Sequence, residues 1–269
     1  MDLKLQRKRA LITGSSSGIG QAIARTLALE GVSVVIHGRD RKRAEHVSEE
    51  ITTAGGKATV AVGDLSTESG SRQVAQASVA AFGGLDILVN NAGGADRAPI
   101  TWEGENFDEW AESFQQNFFS AVRLASLLLP ELRTNGWGRI IQITTGWASH
   151  PDNVAVDYAA AKAALSNTSA SLTRALAGTG VTVNNISPGP IVTPALERTM
   201  RGIAAQRGWG DEWPEIERRA VAEIVPNSVG RMGHVEDIAN AVAFLASPLA
   251  DYIDGATLRV DGGRIPSTF

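Results

Sequence analysis

Tyr158 and Lys162 stand four residues apart. Helical spacing puts the two side chains on one face. A phenol normally titrates near pH ~10 and keeps its proton at neutrality, but a neighbouring ammonium favours the phenolate. The pair is therefore a candidate proton donor and acceptor. Tyr252 is the only other tyrosine. A second feature lies near the N-terminus, in Thr13-Gly14-Ser15-Ser16-Ser17-Gly18-Ile19-Gly20. Gly14 permits a tight turn, Gly18 lets backbone approach a pyrophosphate, and Gly20 permits close packing of helix on strand. Amides of the helix that follows would face phosphate.

These residues need a scaffold, and the hydrophobic pattern supplies one. Short apolar runs at 10–13, 32–37, 57–62, 85–89, 139–144, 181–186 and 257–260 alternate with amphipathic stretches at 19–30, 41–54, 69–82, 106–132, 158–177 and 235–246. Uninterrupted apolar strands separated by helices predict a parallel sheet covered on both faces. The expected fold is a single α/β domain over 1–269, a three-layer, Rossmann-type doubly wound sheet. The glycine turn falls between the first strand and first helix, the context that gives such a turn meaning. Segment 195–231 breaks the rhythm; it is polar, holds Trp209, Trp213 and Pro214, and is expected to be a substrate-loop insertion.

At the end of the second strand comes His37-Gly38-Arg39-Asp40-Arg41. An acid there would bond a ribose 2′-hydroxyl, whereas a small residue followed by arginine makes room for a 2′-phosphate and binds it as a fork. Gly38 and Arg39 favour the phosphate; Asp40 argues the other way.

Composition removes several classes. The net charge of −4 offers no basic surface for nucleic acid. With no cysteine, thiolate nucleophiles and cysteine-ligated metals are ruled out. His37, His46, His150 and His234 lack ligand spacing, so no metal site is expected. No apolar run has spanning length and no signal-peptide pattern opens the chain, so a cytoplasmic protein without a membrane partner is expected.

Together with the glycine turn, Asn90-Asn91-Ala92-Gly93, Tyr158-Ala159-Ala160-Ala161-Lys162, Pro188-Gly189 and Val260-Asp261-Gly262-Gly263 resemble the motifs of the short-chain dehydrogenase/reductase family, from about Lys8 to Gly263. The overall texture resembles its 3-oxoacyl-(acyl-carrier-protein) reductase branch. The resemblance implies a hydride transfer between nicotinamide and a ketone or secondary alcohol, with NADP(H) favoured over NAD(H) through Arg39. It implies a catalytic set of Asn117, Thr145, Tyr158 and Lys162, and a likeness to homotetramers or homodimers. Thr145 stands where the family has serine; it keeps a hydroxyl that can donate to a carbonyl oxygen, with an added methyl. Thr144 and Ser149 are alternative hydroxyls. Asn117 would anchor a water in a proton relay, or serve as a buried structural amide. Cofactor contacts implied are Gly14, Ser16, Ser17, Gly18, Ile19 and Gly20 at the phosphates, Asp64 and Leu65 at adenine, and Asn91, Ala92 and Gly93 along the ribose. Tyr158, Lys162, Pro188, Gly189, Ile191 and Thr193 would hold the nicotinamide end. The substrate pocket is expected between 94–99, 146–157 and 194–227, with Trp147, Trp209 and Trp213 as apolar walls. The alternatives are an NAD-dependent alcohol or sugar dehydrogenase, and a nucleotide-binding regulator with weak catalysis.

Overall fold

A computed structural model describes residues 2–95, 100–103 and 107–266. Strands β1 (Arg9–Ile12), β2 (Ser33–Gly38), β3 (Lys57–Val62), β4 (Ile87–Asn90), β5 (Gly138–Ile143), β6 (Val181–Pro188) and β7 (Thr257–Val260) form one sheet. Its order is β3-β2-β1-β4-β5-β6-β7, and every pairing is parallel. The direction of winding reverses between β1 and β4, so a crevice opens there at the strands' C-terminal ends.

Alternation along each strand divides the apolar side chains between two cores. Ala10, Ile12, Val34, Ile36, Ile87, Val89, Ile141 and Ile143 belong to one, packed with α1 (Gly18–Leu29) and α9 (Val235–Ala246). Leu11, Val35, Leu88, Ile140 and Val183 belong to the other, under α3 (Glu68–Phe82) and α5 (Ser120–Arg133). Burial on both faces is why these strands read as continuous apolar runs. The remaining helices are α2 (Arg41–Thr53), α4 (Phe107–Phe114), α6 (Val156–Ala175), α7 (Pro194–Arg207) and α8 (Trp213–Glu223).

The structure differs from the sequence pattern in two places. The stretch expected as one helix over 106–132 is α4 and α5 joined by a π-helical turn, Gln115–Phe119. Asn117 lies within that turn and is drawn to the backbone of Gly94, a side-chain demand that a regular mid-helix position meets poorly. Segment 195–231 is largely helical. It holds α7 and α8 around a small core of Met200, Ala204, Trp209, Ile216, Ala220, Val225 and Met232, separate from the two cores on the sheet. Its polarity in sequence reflects the solvent faces of two short amphipathic helices.

Candidate active site

The glycine turn closes over the switch point. Gly14 and Gly18 have φ of 63° and 57°, a region costly for side-chain-bearing residues. A Cβ on Gly20 would lie 2.4 Å from the Gly14 carbonyl oxygen, so α1 approaches the turn at a distance only glycine allows. Ser17 N-caps α1 without a side-chain bond, which leaves the helix's first amides for an outside acceptor. The turn is braced from β4: the Asn91 side-chain amide donates to the carbonyls of Thr13 (2.9 Å) and Gly14 (3.2 Å). The amides of Asn91 and Ala92 in turn donate to Thr13 Oγ1 at 2.9 and 2.8 Å.

At the tip of β2, Gly38 is buried, and a Cβ there would lie 2.8 Å from Ser16 Oγ. Arg39 is exposed just beyond. Asp40 is the N-cap of α2, its carboxylate accepting from the Arg43 amide at 3.2 Å, and Arg41 pairs with Glu45 at 3.2 Å. Both neighbours are thus engaged with the helix. Asp64, past β3, accepts from the amide and hydroxyl of Ser66 at 2.9 and 2.8 Å; these bonds hold its carboxyl below the usual range. Leu65 is buried in the second core.

The four candidate catalytic residues converge from three elements. Tyr158 and Lys162 lie in α6, with the ammonium 6.0 Å from the phenol ring centroid. Lys162 is 2% exposed; its Nζ donates to the Ile143 carbonyl at 2.8 Å, and burial pushes its pKa down to about 8. Asn117 is 1% exposed. Its Oδ1 accepts from the Gly94 amide at 2.8 Å, while Nδ2 donates to the carbonyls of Gly94 (3.2 Å) and Ser113 (3.1 Å). Gly93 separates it from Lys162: a Cβ there would lie 2.5 Å from Asn117 Oδ1 and 3.3 Å from Lys162 Nζ.

Thr145 and Thr144 part company at the end of β5. Thr144 is buried and donates its hydroxyl to the Ile186 carbonyl at 2.9 Å. Thr145 is extended and partly exposed, its Oγ1 accepting from the Trp147 amide at 3.4 Å, which leaves the hydroxyl proton for another acceptor. Ser149 is exposed and donates to the Gly146 carbonyl at 3.3 Å.

The far lip of the crevice follows β6. The Gly189 amide donates to the Val260 carbonyl (2.9 Å), and Ile191 bridges to Gly233. Thr193 N-caps α7, and its Cγ2 would lie 3.6 Å from a Cβ on Gly18, so the two lips meet. Of the three expected tryptophans, Trp147 packs edge-on against Tyr158, centroids 6.4 Å apart. Trp209 is 6% exposed and buries its large ring inside the α7–α8 core rather than presenting it as an open wall. Trp213 packs partly against the same core. Asp96, Arg97 and Pro99 of the expected pocket lie outside the described residues.

Two residues were not singled out from sequence. Ile265 lies against Gly146, where a Cβ would be 2.8 Å from its Cδ1. The turn that carries it is folded by Asp261, whose carboxylate accepts from the amides of Gly263 (3.0 Å) and Ile265 (3.1 Å). His37 is the other; a lone imidazole within the apolar run of β2 was its only signal. Among the described residues, no three metal-ligating side chains cluster and no helix is long and apolar enough to cross a membrane.

The short chain dehydrogenase family model matches residues 8–203. The chain is 38% identical over 267 residues to the 3-oxoacyl-(acyl-carrier-protein) reductase FabG of Escherichia coli strain K12, covering 97% of this chain and 98% of that one. It superposes on the L-sorbose reductase of Gluconobacter frateurii, solved with NADPH and L-sorbose, with a TM-score of 0.92 and 33% identity over 99% of this chain and 100% of that one. A 7α-hydroxysteroid dehydrogenase complexed with NADH and 7-oxo glycochenodeoxycholic acid gives 0.86 and 34% over 100% and 98%. Motifs, sheet order and relatives of full length agree, and this protein belongs to the short-chain dehydrogenase/reductase family, oxidoreductases acting on carbonyl and alcohol carbons with a nicotinamide cofactor.

Proposed function

We propose that this chain is an NADP(H)-preferring reductase of a ketone, or dehydrogenase of the matching secondary alcohol, with Asn117, Thr145, Tyr158 and Lys162 as its catalytic set. The observation that carries the cofactor preference is the tip of β2. Ser16 occupies the space that a side chain at position 38 would need, Asp40 is spent on capping α2, and Arg39 stands exposed where a 2′-phosphate would lie. The uncapped start of α1 and the glycine turn fit the pyrophosphate of such a dinucleotide. The bound nicotinamide would supply or accept the hydride.

The protein's own part is orientation and protons. Thr145 donates a hydrogen bond to the substrate oxygen, and Tyr158 gives that oxygen its proton in reduction or takes it in oxidation. Lys162, held by the Ile143 carbonyl, keeps positive charge beside the phenol. Asn117 fixes the loop at Gly93–Gly94 that borders Lys162, and a water anchored nearby would return protons from solvent. Segment 195–231 acts as the substrate lid, with Trp147 as an apolar wall beside Tyr158. The same reading makes the protein a cytoplasmic homotetramer or homodimer, and a monomeric mass in light scattering would remove that part.

The test is NADPH and NADH oxidation with 3-oxoacyl thioesters, keto sugars and cyclic ketones. Turnover is expected with NADPH and is lost in Tyr158→Phe by about 10²–10⁴-fold. Arg39→Ala should weaken NADPH by about tenfold to a hundredfold while leaving NADH unchanged. Equal effects on both cofactors would end the Arg39 assignment.

A further inference from the structure

We propose that the His37 imidazole is the strut that sets the shape of the phosphate-binding turn, so that dinucleotide affinity requires this ring to be neutral. The inference rests on the dinucleotide reading above. His37 is 4% exposed at the end of β2 and bonds in two directions at once. Its Nδ1 accepts from the Gly14 amide at 3.0 Å, and its Nε2 donates to the Gly63 carbonyl at 3.1 Å. One neutral tautomer satisfies both bonds, with the proton on Nε2. The backbone of His37 holds the next residue of the turn: its amide donates to Ser15 Oγ at 2.9 Å, and its carbonyl accepts from the Ser15 amide at 2.9 Å.

Gly14 is thereby held on both sides of its Cα, its amide, in the peptide from Thr13, by His37 and its carbonyl, in the peptide to Ser15, by Asn91. Gly14 is at φ 63°, and its carbonyl oxygen sets how closely α1 can approach, as the 2.4 Å contact of a Cβ on Gly20 shows. Orienting the two peptides that meet at Gly14 therefore orients the turn and the first amides of α1. A protonated ring would point a second N–H at the Gly14 amide, and two donors cannot bond.

The charged groups that act on the ring are Arg39, just past the end of β2, and Asp64, after β3; the turn from Thr13 to Gly20 has no ionisable side chain. Burial, and to a lesser degree Arg39, pushes the imidazole below its ordinary 6.5, while the bond to Gly63 and Asp64 oppose this. The ring is neutral at physiological pH, and the strut is lost only as acid drives a proton onto it.

The experiment measures NADPH and NADH dissociation constants by fluorescence from about pH 5 to 8 for wild type, His37→Asn and His37→Gln. NADH has no 2′-phosphate, so acid loss shared by both cofactors belongs to the protein. Asn places Oδ1 where Nδ1 stood and cannot titrate. His37→Asn should bind within about threefold of wild type at neutral pH and lack its acid-dependent loss, whereas His37→Gln, which reaches toward Gly63 but not Gly14, should bind about tenfold more weakly. Wild-type affinity in the Gln variant, or the same acid loss in the Asn variant, would overturn the strut. A nitrogen NMR titration separates this from failure of the cofactor reading. Should wild type bind neither dinucleotide, the function proposed above falls, and the strut stands or falls on whether the Gly14 amide signal moves in step with the His37 ring.

Discussion

The phosphate turn and the α7–α8 segment border the same crevice but are held by different means. The turn is determined by backbone: glycines at positive φ, a Gly14 bonded through both its amide and its carbonyl, and contacts that admit no Cβ. The α7–α8 segment is held by apolar burial within its own small core. Its ends are tied to the rest through the bridge of Ile191 with Gly233 and through the amides of Ser228 and Val229, which donate to the Gly262 carbonyl. On the function proposed above, the turn would bind the same phosphates in every turnover and gain from a rigid backbone, while a segment that admitted substrate could be a separately packed unit of low local stability.

The largest effect should come from breaking the rigid side. Gly20→Ala forces a methyl against the Gly14 carbonyl and should cost about 3 kcal/mol of stability, with dinucleotide binding lost, read by thermal melting and fluorescence titration. The corresponding strike on the other side, Ile216→Ala, removes a side chain 1% exposed in the small core. Core truncations of this kind cost about 2 kcal/mol or more, but with dinucleotide binding kept the overall effect is the smaller of the two. Loss of hydrogen-exchange protection should be confined to α7 and α8, with dinucleotide affinity unchanged; global unfolding would abolish the distinction between the two regions.

Lys162→Met sharpens the comparison from the catalytic side. The folded pKa of about 8 lies below the ordinary 10.5, so the folded state resists the charge. Below about pH 8 the lysine is charged in both states and the burial penalty is fully present. As pH rises from there toward 10.5, the folded state releases its proton first and the penalty fades. The variant should therefore be inactive yet melt higher than wild type at pH ~7, the gain shrinking in alkali; for a chain of this size each kcal/mol is worth about 2–4 °C. A lower melting temperature would mean that the bond to Ile143 outweighs desolvation. The smallest effect is expected at Thr145→Ser, which keeps the hydroxyl and removes a methyl. Turnover should persist, with preference shifting toward bulkier ketones by about tenfold or less.

How much of this was legible in the sequence differs from residue to residue. The sheet, the glycine turn and the Tyr158–Lys162 pair were readable because each depends on local spacing: strand runs, positive-φ glycines, and one helical turn between two side chains. Thr144 and Thr145 both stayed open as hydroxyls in the sequence; the fold gives them different partners, the Ile186 carbonyl and the Trp147 amide. Other features depend on partners distant in the chain. That Asp40 caps α2 is seen only once its carboxylate is placed against the Arg43 amide. The π turn holds Asn117 against Gly94, and Trp209 proved to be core only because α8 folds back on α7. His37 and Ile265 gave almost no signal, since their meaning lies in Gly14, Gly63 and Gly146, residues brought to them by the winding of the sheet. What this sequence determined by itself is what short-range sterics and periodicity can specify; which polar group meets which was decided by tertiary structure, because a hydrogen bond depends on distance in space and not on separation along the chain.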